Sequence, residues 1–272
     1  MQILNMRITL FTVFILLFVS CSEYSKVVKK GTNDQKYDMA VAMYKKRDYN
    51  RALPLLEDLL AIHRGKPKSE EVYYYYCYSY FALGQYQLAG YHFKNFTENY
   101  YNSKHMKECS YMYAHCLYKE ALPYYLEQSE TEKAISEMQL FLNKYPDSTY
   151  RDEGNRQIEE LRNNLKRKSF ENAMLYYKIE DYRAANVTFK NTLKDFPDVS
   201  NKDEIDYYIV KAAYLYAKHS VDEKKVERYN EVFKEYKDYL SQHKPTDKYY
   251  AEVVEINQKA EKELNNFINK NK

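Results

Sequence analysis

The chain has 272 residues and a formal net charge of +3, from 42 basic and 39 acidic residues. It holds 33 Tyr and no Trp, and its five Gly and six Pro are too few for a turn-rich all-β protein. The charges interleave without a basic stripe, which argues against nucleic acid as a partner.

The first 20 residues differ from the rest. Arg7 is their one charge, residues 8–19 are almost wholly apolar, and Ser20-Cys21 follows. A charged start, a short apolar stretch and a small residue before a cleavage point describe a secretory signal, too short for a comfortable membrane span. Residues 1–20 are therefore expected to be removed. A Cys in this place resembles the acylated Cys of a bacterial lipoprotein box: Val19 and Ser20 fit, while Phe18 stands where Leu is usual. The alternative is a plain secretory signal with an incidental Cys. Acylation of Cys21 would hold a soluble body on a membrane, each buried CH₂ contributing roughly 0.8 kcal/mol. Ser22, and the lack of an acidic run after Cys21, favour the inner leaflet of the outer membrane, facing the periplasm. Residues 21–33 read as a polar, lipidated tether.

Helical periodicity starts near Asp34. Repeat one (34–64) carries Met39, Ala40, Met43, Tyr49, Ala52, Leu56 and Leu59, with Pro54 expected in the first turn of its second helix. Repeat two (70–102) is the strongest. Tyr73, Tyr76, Cys77 and Tyr80 recur three and four apart, Gly84 marks a turn, and Tyr86, Ala89, Phe93 and Phe96 follow. Repeat three centres on Tyr113, Ala114 and Leu117, then Ala134, Met138 and Phe141, joined by a longer connection and ended by Pro146. A helix over 152–166 leads into repeat four, with Ala173, Tyr176, Tyr182, Ala185 and Phe189. Repeat five is degenerate, since Tyr229 stands where Ala is usual, so that hairpin should splay or repack. A last helix over 247–267 reads as a cap. The small residues Ala52, Ala89, Ala134 and Ala185 mark the contact of the two helices in each hairpin. The expected fold is all-α: a tetratricopeptide-like helical-hairpin solenoid of about five repeats plus a C-terminal capping helix. Repeats 1–3 form an N-terminal part (34–146); repeats 4–5 and the cap form a C-terminal part (147–272).

No phosphate loop, Gly-x-Ser-x-Gly or His-Glu-x-x-His is present, and nothing selects a nucleophile, a metal site or a cofactor. Cys109 and Cys116 are seven apart on one helix, roughly 10 Å along its axis and beyond disulfide reach. With Cys77 they read as small apolar packing residues. Glu159-Glu160 and Asp203-Glu204 read as solvated charge. Asp147-Ser148-Thr149, in an expected loop, resembles an O-glycan acceptor of Bacteroidetes at Ser148; the same residues suit a turn.

In such hairpins the first helix, helix A, lines one face. Its positions away from the interhelical seam are Tyr37, Val41 and Tyr44, then Tyr74, Tyr78 and Phe81, then Tyr111, His115 and Tyr118. These either line a groove for extended peptides or pack against the next repeat.

Several linked passages resemble one family. They run from Glu132-Lys133-Ala134-Ile135 to Lys144-Tyr145-Pro146-Asp147-Ser148, then through Lys168-Ser169-Phe170-Glu171-Asn172-Ala173, Asp195-Phe196-Pro197-Asp198 and Ser220-Val221-Asp222-Glu223. With Cys21 they resemble the BamD family, lipoproteins of the outer-membrane β-barrel assembly machinery, in a Bacteroidetes style. Tyr101-Asn102-Ser103 departs from the usual Pro-x-Ser. The resemblance implies a non-enzymatic scaffold whose N-terminal repeats bind unfolded outer-membrane β-barrel proteins. Its C-terminal repeats would dock on the POTRA domains of BamA, alongside other machinery subunits. The other classes are a periplasmic scaffold for envelope or division proteins and a SusD-like glycan-capture lipoprotein, the latter needing more chain than is present.

Overall fold

The computed structural model describes residues 23–63 and 68–271, and the regular structure among them is helical. Residues 23–30 form α1. The chain continues through α2 (Asn33–Lys45), α3 (Tyr49–His63), α4 (Ser69–Ala82), α5 (Tyr86–Asn99), α6 (Met106–Glu120) and α7 (Ser129–Lys144). It ends with α8 (Arg151–Lys178), α9 (Tyr182–Asp195), α10 (Lys202–Lys218), α11 (Asp222–Gln242) and α12 (Tyr250–Lys270). The signal segment 1–20 and Cys21 lie outside the described residues.

The helices pair as antiparallel hairpins of the tetratricopeptide type: α2/α3, α4/α5, α6/α7, the second half of α8 with α9, and α10/α11. Helix α12 packs against both α10 and α11. At the seams Ala52, Ala89, Ala134 and Ala185 are all 0 % exposed, so no larger side chain fits without displacing a neighbour. Two compact units result: Met1–Leu122 with Gln128–Leu161, and Pro123–Glu127 with Arg162–Lys272. The division falls inside α8, not near residue 146.

Three of the hairpin turns share one chemistry. The first helix ends at Arg47, Gly84 or Glu180, each with positive φ (60°, 73° and 65°). The amide of the next residue reaches back five positions, Asp48 to Met43, Gln85 to Tyr80 and Asp181 to Tyr176. This pattern closes a helix by satisfying its last carbonyls, and glycine suits its left-handed position best. Asp48 and Asp181 then cap the second helix through the amides of Arg51 and Ala184.

Three expectations change, and one alternative is resolved. Residues 23–30, expected as a polar tether, form a helix on the body of the chain: Tyr24, Val27 and Val28 pack on the first hairpin, and the Tyr24 hydroxyl donates to the Arg51 carbonyl at 3.0 Å. Gly31 and a capping box between Thr32 and Gln35 then separate α1 from α2. Pro54 is the sixth residue of α3, past the first turn, so its missing N–H leaves one carbonyl of the helix without that donor. The lead-in helix and helix A of repeat four are one element, the 28-residue α8, because no Gly or Pro interrupts the chain between Gly154 and Pro197. Of the two outcomes expected at Tyr229, its hairpin repacks: the residue is 4 % exposed and its hydroxyl donates to Glu263 of α12 at 2.7 Å.

The cysteines Cys77, Cys109 and Cys116 are free and buried in the core of repeats two and three. Burial pushes the Cys116 thiol up to about 12, far from the range of a reactive thiol.

Glu180 is exposed and holds a conformation that costs a side-chain-bearing residue about 1–2 kcal/mol. Glu180→Gly is expected to stabilise the chain by about 1 kcal/mol, raising the thermal midpoint by about 2–4 °C. A lower midpoint would show that the turn does not set this limit.

Candidate functional site

The helix A triads recur at a step of 37 residues: Tyr37, Val41 and Tyr44 on α2; Tyr74, Tyr78 and Phe81 on α4; Tyr111, His115 and Tyr118 on α6. Tyr111 is buried and the other eight are half-buried, so the rings split their surface between the neighbouring repeat and the outside.

The buried share goes to helix A of the next repeat. The Tyr37 hydroxyl titrates above its ordinary value because of burial and because it bonds the Glu71 carboxylate on α4. The Tyr44 ring meets Tyr75 at 4.7 Å. Tyr74 and Tyr78 both donate to Oε1 of Glu108 on α6, at 3.0 and 2.5 Å, and Tyr74 lies against His105 at 4.2 Å. Phe81 meets His115 at 5.6 Å. On the next step Tyr111 stacks on Tyr150 at 4.1 Å, His115 pairs with Gln157 at 3.2 Å, and Tyr118 donates to Glu160 of α8 at 2.5 Å. The second unit repeats the device, with Tyr207 donating to Glu252 at 2.7 Å and Tyr214 to Glu263 at 2.9 Å.

These links come from two sequence features, only one of which was legible. The tyrosines stand out by their spacing. Their acceptors do not: Glu160 reads as solvated charge, yet it accepts from Tyr118 and also pairs with Arg156. The signal that could have found them is periodic, since Tyr37 precedes Glu71, and Tyr74 precedes Glu108, by the same 34 residues.

Tyr73, Tyr76 and Tyr80 face the seam of their own hairpin. They surround His92 of α5, with the Tyr73 hydroxyl 3.1 Å from Nδ1. On the other side of this unit, α5, α6 and α7 border an open cleft of about 540 Å³, whose walls include Tyr86, Tyr91, Tyr113, Leu117 and Leu122, with Lys94 at its rim. Sequence periodicity gave no sign of it, because its walls belong to two repeats.

Ser148 is not an exposed acceptor. It is 6 % exposed, and its hydroxyl accepts from the Tyr150 amide at 3.3 Å. The same turn recurs at Ser103, whose hydroxyl accepts from the His105 amide, and at Val199, which bonds back to Phe196. The position thus belongs to the join between repeats, and the departure at Tyr101-Asn102-Ser103 keeps that join. Among the described residues no helix is long and apolar enough to cross a membrane.

The family YfiO, described as an outer membrane lipoprotein, matches residues 29–224. The chain therefore belongs to this family, that of BamD. No curated protein matches it significantly. Among solved structures, the TPR domain of P58(IPK) is 14 % identical, with a TM-score of 0.41 over 89 % of this chain and 68 % of that one. A Podosopora anserina putative kinesin light chain with nearly identical TPR-like repeats is 11 % identical, with a TM-score of 0.33 over 78 % and 97 %.

Burial, with the neighbouring Tyr49, pushes the Tyr44 hydroxyl up to about 12; burial and Glu137 do the same for Tyr113, and burial and the Glu263 bond for Tyr214. In the unfolded chain these protons leave near pH ~10. Since the folded values are raised, their contribution to stability is complete below pH ~10 and is lost as pH rises from about 10 to about 12. The urea midpoint is expected to fall across that window, with tyrosinate absorbance appearing together with unfolding. A midpoint constant across it would contradict these links.

Proposed function

We propose that this chain is a lipid-anchored scaffold of outer-membrane β-barrel assembly. The observation that carries the reading is the family match over residues 29–224, which runs through both compact units. Anchored through Cys21 to the inner leaflet of the outer membrane, the chain would work on the periplasmic side and consume no nucleotide.

The N-terminal unit holds unfolded outer-membrane proteins. Its half-exposed rings at Tyr37, Tyr44, Tyr74, Tyr78 and Phe81, with Val41 between them, support this. Because their inner edges are fixed by Glu71, Glu108 and His115, the outer edges form an ordered aromatic strip. Such a strip binds extended segments with little loss of side-chain entropy. The C-terminal unit docks on the POTRA domains of BamA and positions the client for insertion.

The test is co-purification from the native outer membrane after photo-crosslinking, for the wild type and for a Tyr74→Ala, Tyr78→Ala variant. The wild type should recover a POTRA-bearing barrel protein together with nascent barrel chains. The variant should keep the first and lose most of the second. Recovery of the wild type without any POTRA-bearing protein would sink the proposal.

A further inference from the structure

At the end of the second unit, α10 and α12 border an open cleft of about 430 Å³ lined by Tyr214, Lys218, Lys259, Lys262, Glu263 and Asn266. Three of these six side chains are cationic and one is anionic. The single carboxylate is already engaged: Oε1 of Glu263 accepts from Tyr214 at 2.9 Å and Oε2 from Tyr229 at 2.7 Å. Lys218 Nζ lies 4.0 Å from that carboxylate, outside good hydrogen-bond range. Among the described residues Lys259 pairs only with Glu255, one helical turn away and exposed, an arrangement that contributes little and exchanges readily. Lys262 has no ion-pair partner among the described residues.

The placement follows from the helix. Val253, Ile256, Ala260 and Leu264 commit one face of α12 to the core. Lys259, Lys262 and Asn266, three and four apart, therefore share another face, which borders the cleft. Residues 225–272 lie beyond the segment matched by the family, so this helix and its lysines are features of this chain outside the matched region.

We propose that this cleft docks a segment of a partner polypeptide bearing Asp or Glu side chains. Charge complementarity selects the occupant: a carboxylate entering here meets three ammonium groups, while the one like charge is held by two tyrosine hydroxyls. The concave shape, with a Tyr wall and the Asn266 amide, suits individual carboxylates on a peptide better than the flat surface of a bilayer. Lys218, Lys259 and Lys262 are exposed, so such pairs are screened by salt. The proposal rests on the reading of the C-terminal unit as the docking half, and it names the chemistry of the partner.

The test measures fluorescence anisotropy of a fluorescein-labelled hexaglutamate peptide titrated with the mature chain at about 25 mM salt, where charge pairing is weakly screened. Lys218→Gln, Lys259→Gln, Lys262→Gln should weaken binding about tenfold or more, while Lys45→Gln, Lys46→Gln, Lys104→Gln in the first unit should change it less than about twofold. Matching urea midpoints check that both variants fold. If the first does not, Lys262→Glu, which breaks no ion pair, should still weaken binding. Equal losses from the two triple variants would overturn the proposal. So would unchanged peptide binding alongside lost binding to phosphatidylglycerol vesicles, which would assign the lysines to a membrane. The peptide titration reports on the cleft alone, so its failure is distinct from a failure to recover a POTRA-bearing partner.

Discussion

A repeat protein has no single core, so each hairpin depends on the surface it buries against the next one. In this chain that surface is closed by tyrosine hydroxyls reaching carboxylates across the gap, from Tyr74 and Tyr78 to Glu108, from Tyr118 to Glu160, and from Tyr207 and Tyr214 to Glu252 and Glu263. A hydrogen bond to a charged acceptor contributes about 1.5–3 kcal/mol, with the lower end fitting such half-exposed sites. The ring supplies the apolar contact and the hydroxyl supplies direction, a combination that Phe cannot offer. The two aromatics divide accordingly. Phe93, Phe96 and Phe189, on the second helices, are fully buried, while Tyr37, Tyr44, Tyr74, Tyr78 and Tyr118 of the first helices stand half in and half out.

This division links stability to function. A ring pinned at its inner edge by a carboxylate keeps its outer edge in place, and a row of such rings presents a fixed surface to an extended polypeptide. The cost of ordering that surface is met during folding, not on each binding event. The second unit uses the same links for another end. Glu263 accepts from two hydroxyls and lies 4.0 Å from Lys218, while Lys259 and Lys262 border the same cleft and can meet an incoming acid.

Much of the fold was legible because it is local. The four alanines at the seams, Gly84 in its turn, and the three- and four-residue spacing of Tyr73, Tyr76 and Tyr80 each follow from geometry within one hairpin. What escaped depends on two hairpins at once. Glu108 and Glu160 look like ordinary surface charge until the preceding helix is placed beside them. The cleft at Tyr86, Tyr91 and Tyr113 exists only between repeats. Ser148 looked like a loop hydroxyl because its burial comes from the join that Ser103 and Val199 repeat. Helix α1 was hidden by its polar composition, although Tyr24, Val27 and Val28 already trace one helical face.

The central claim is that hydroxyl–carboxylate links across the gap hold successive repeats together. A double-mutant cycle of Tyr78→Phe and Glu108→Ala, followed by urea unfolding, isolates one link from the packing around it. A coupling of about 1–2 kcal/mol is expected, given that the acceptor is charged and half-exposed. Additive effects, with no coupling beyond about 0.3 kcal/mol, would show that packing alone joins the repeats and that the carboxylates are ordinary solvated charge.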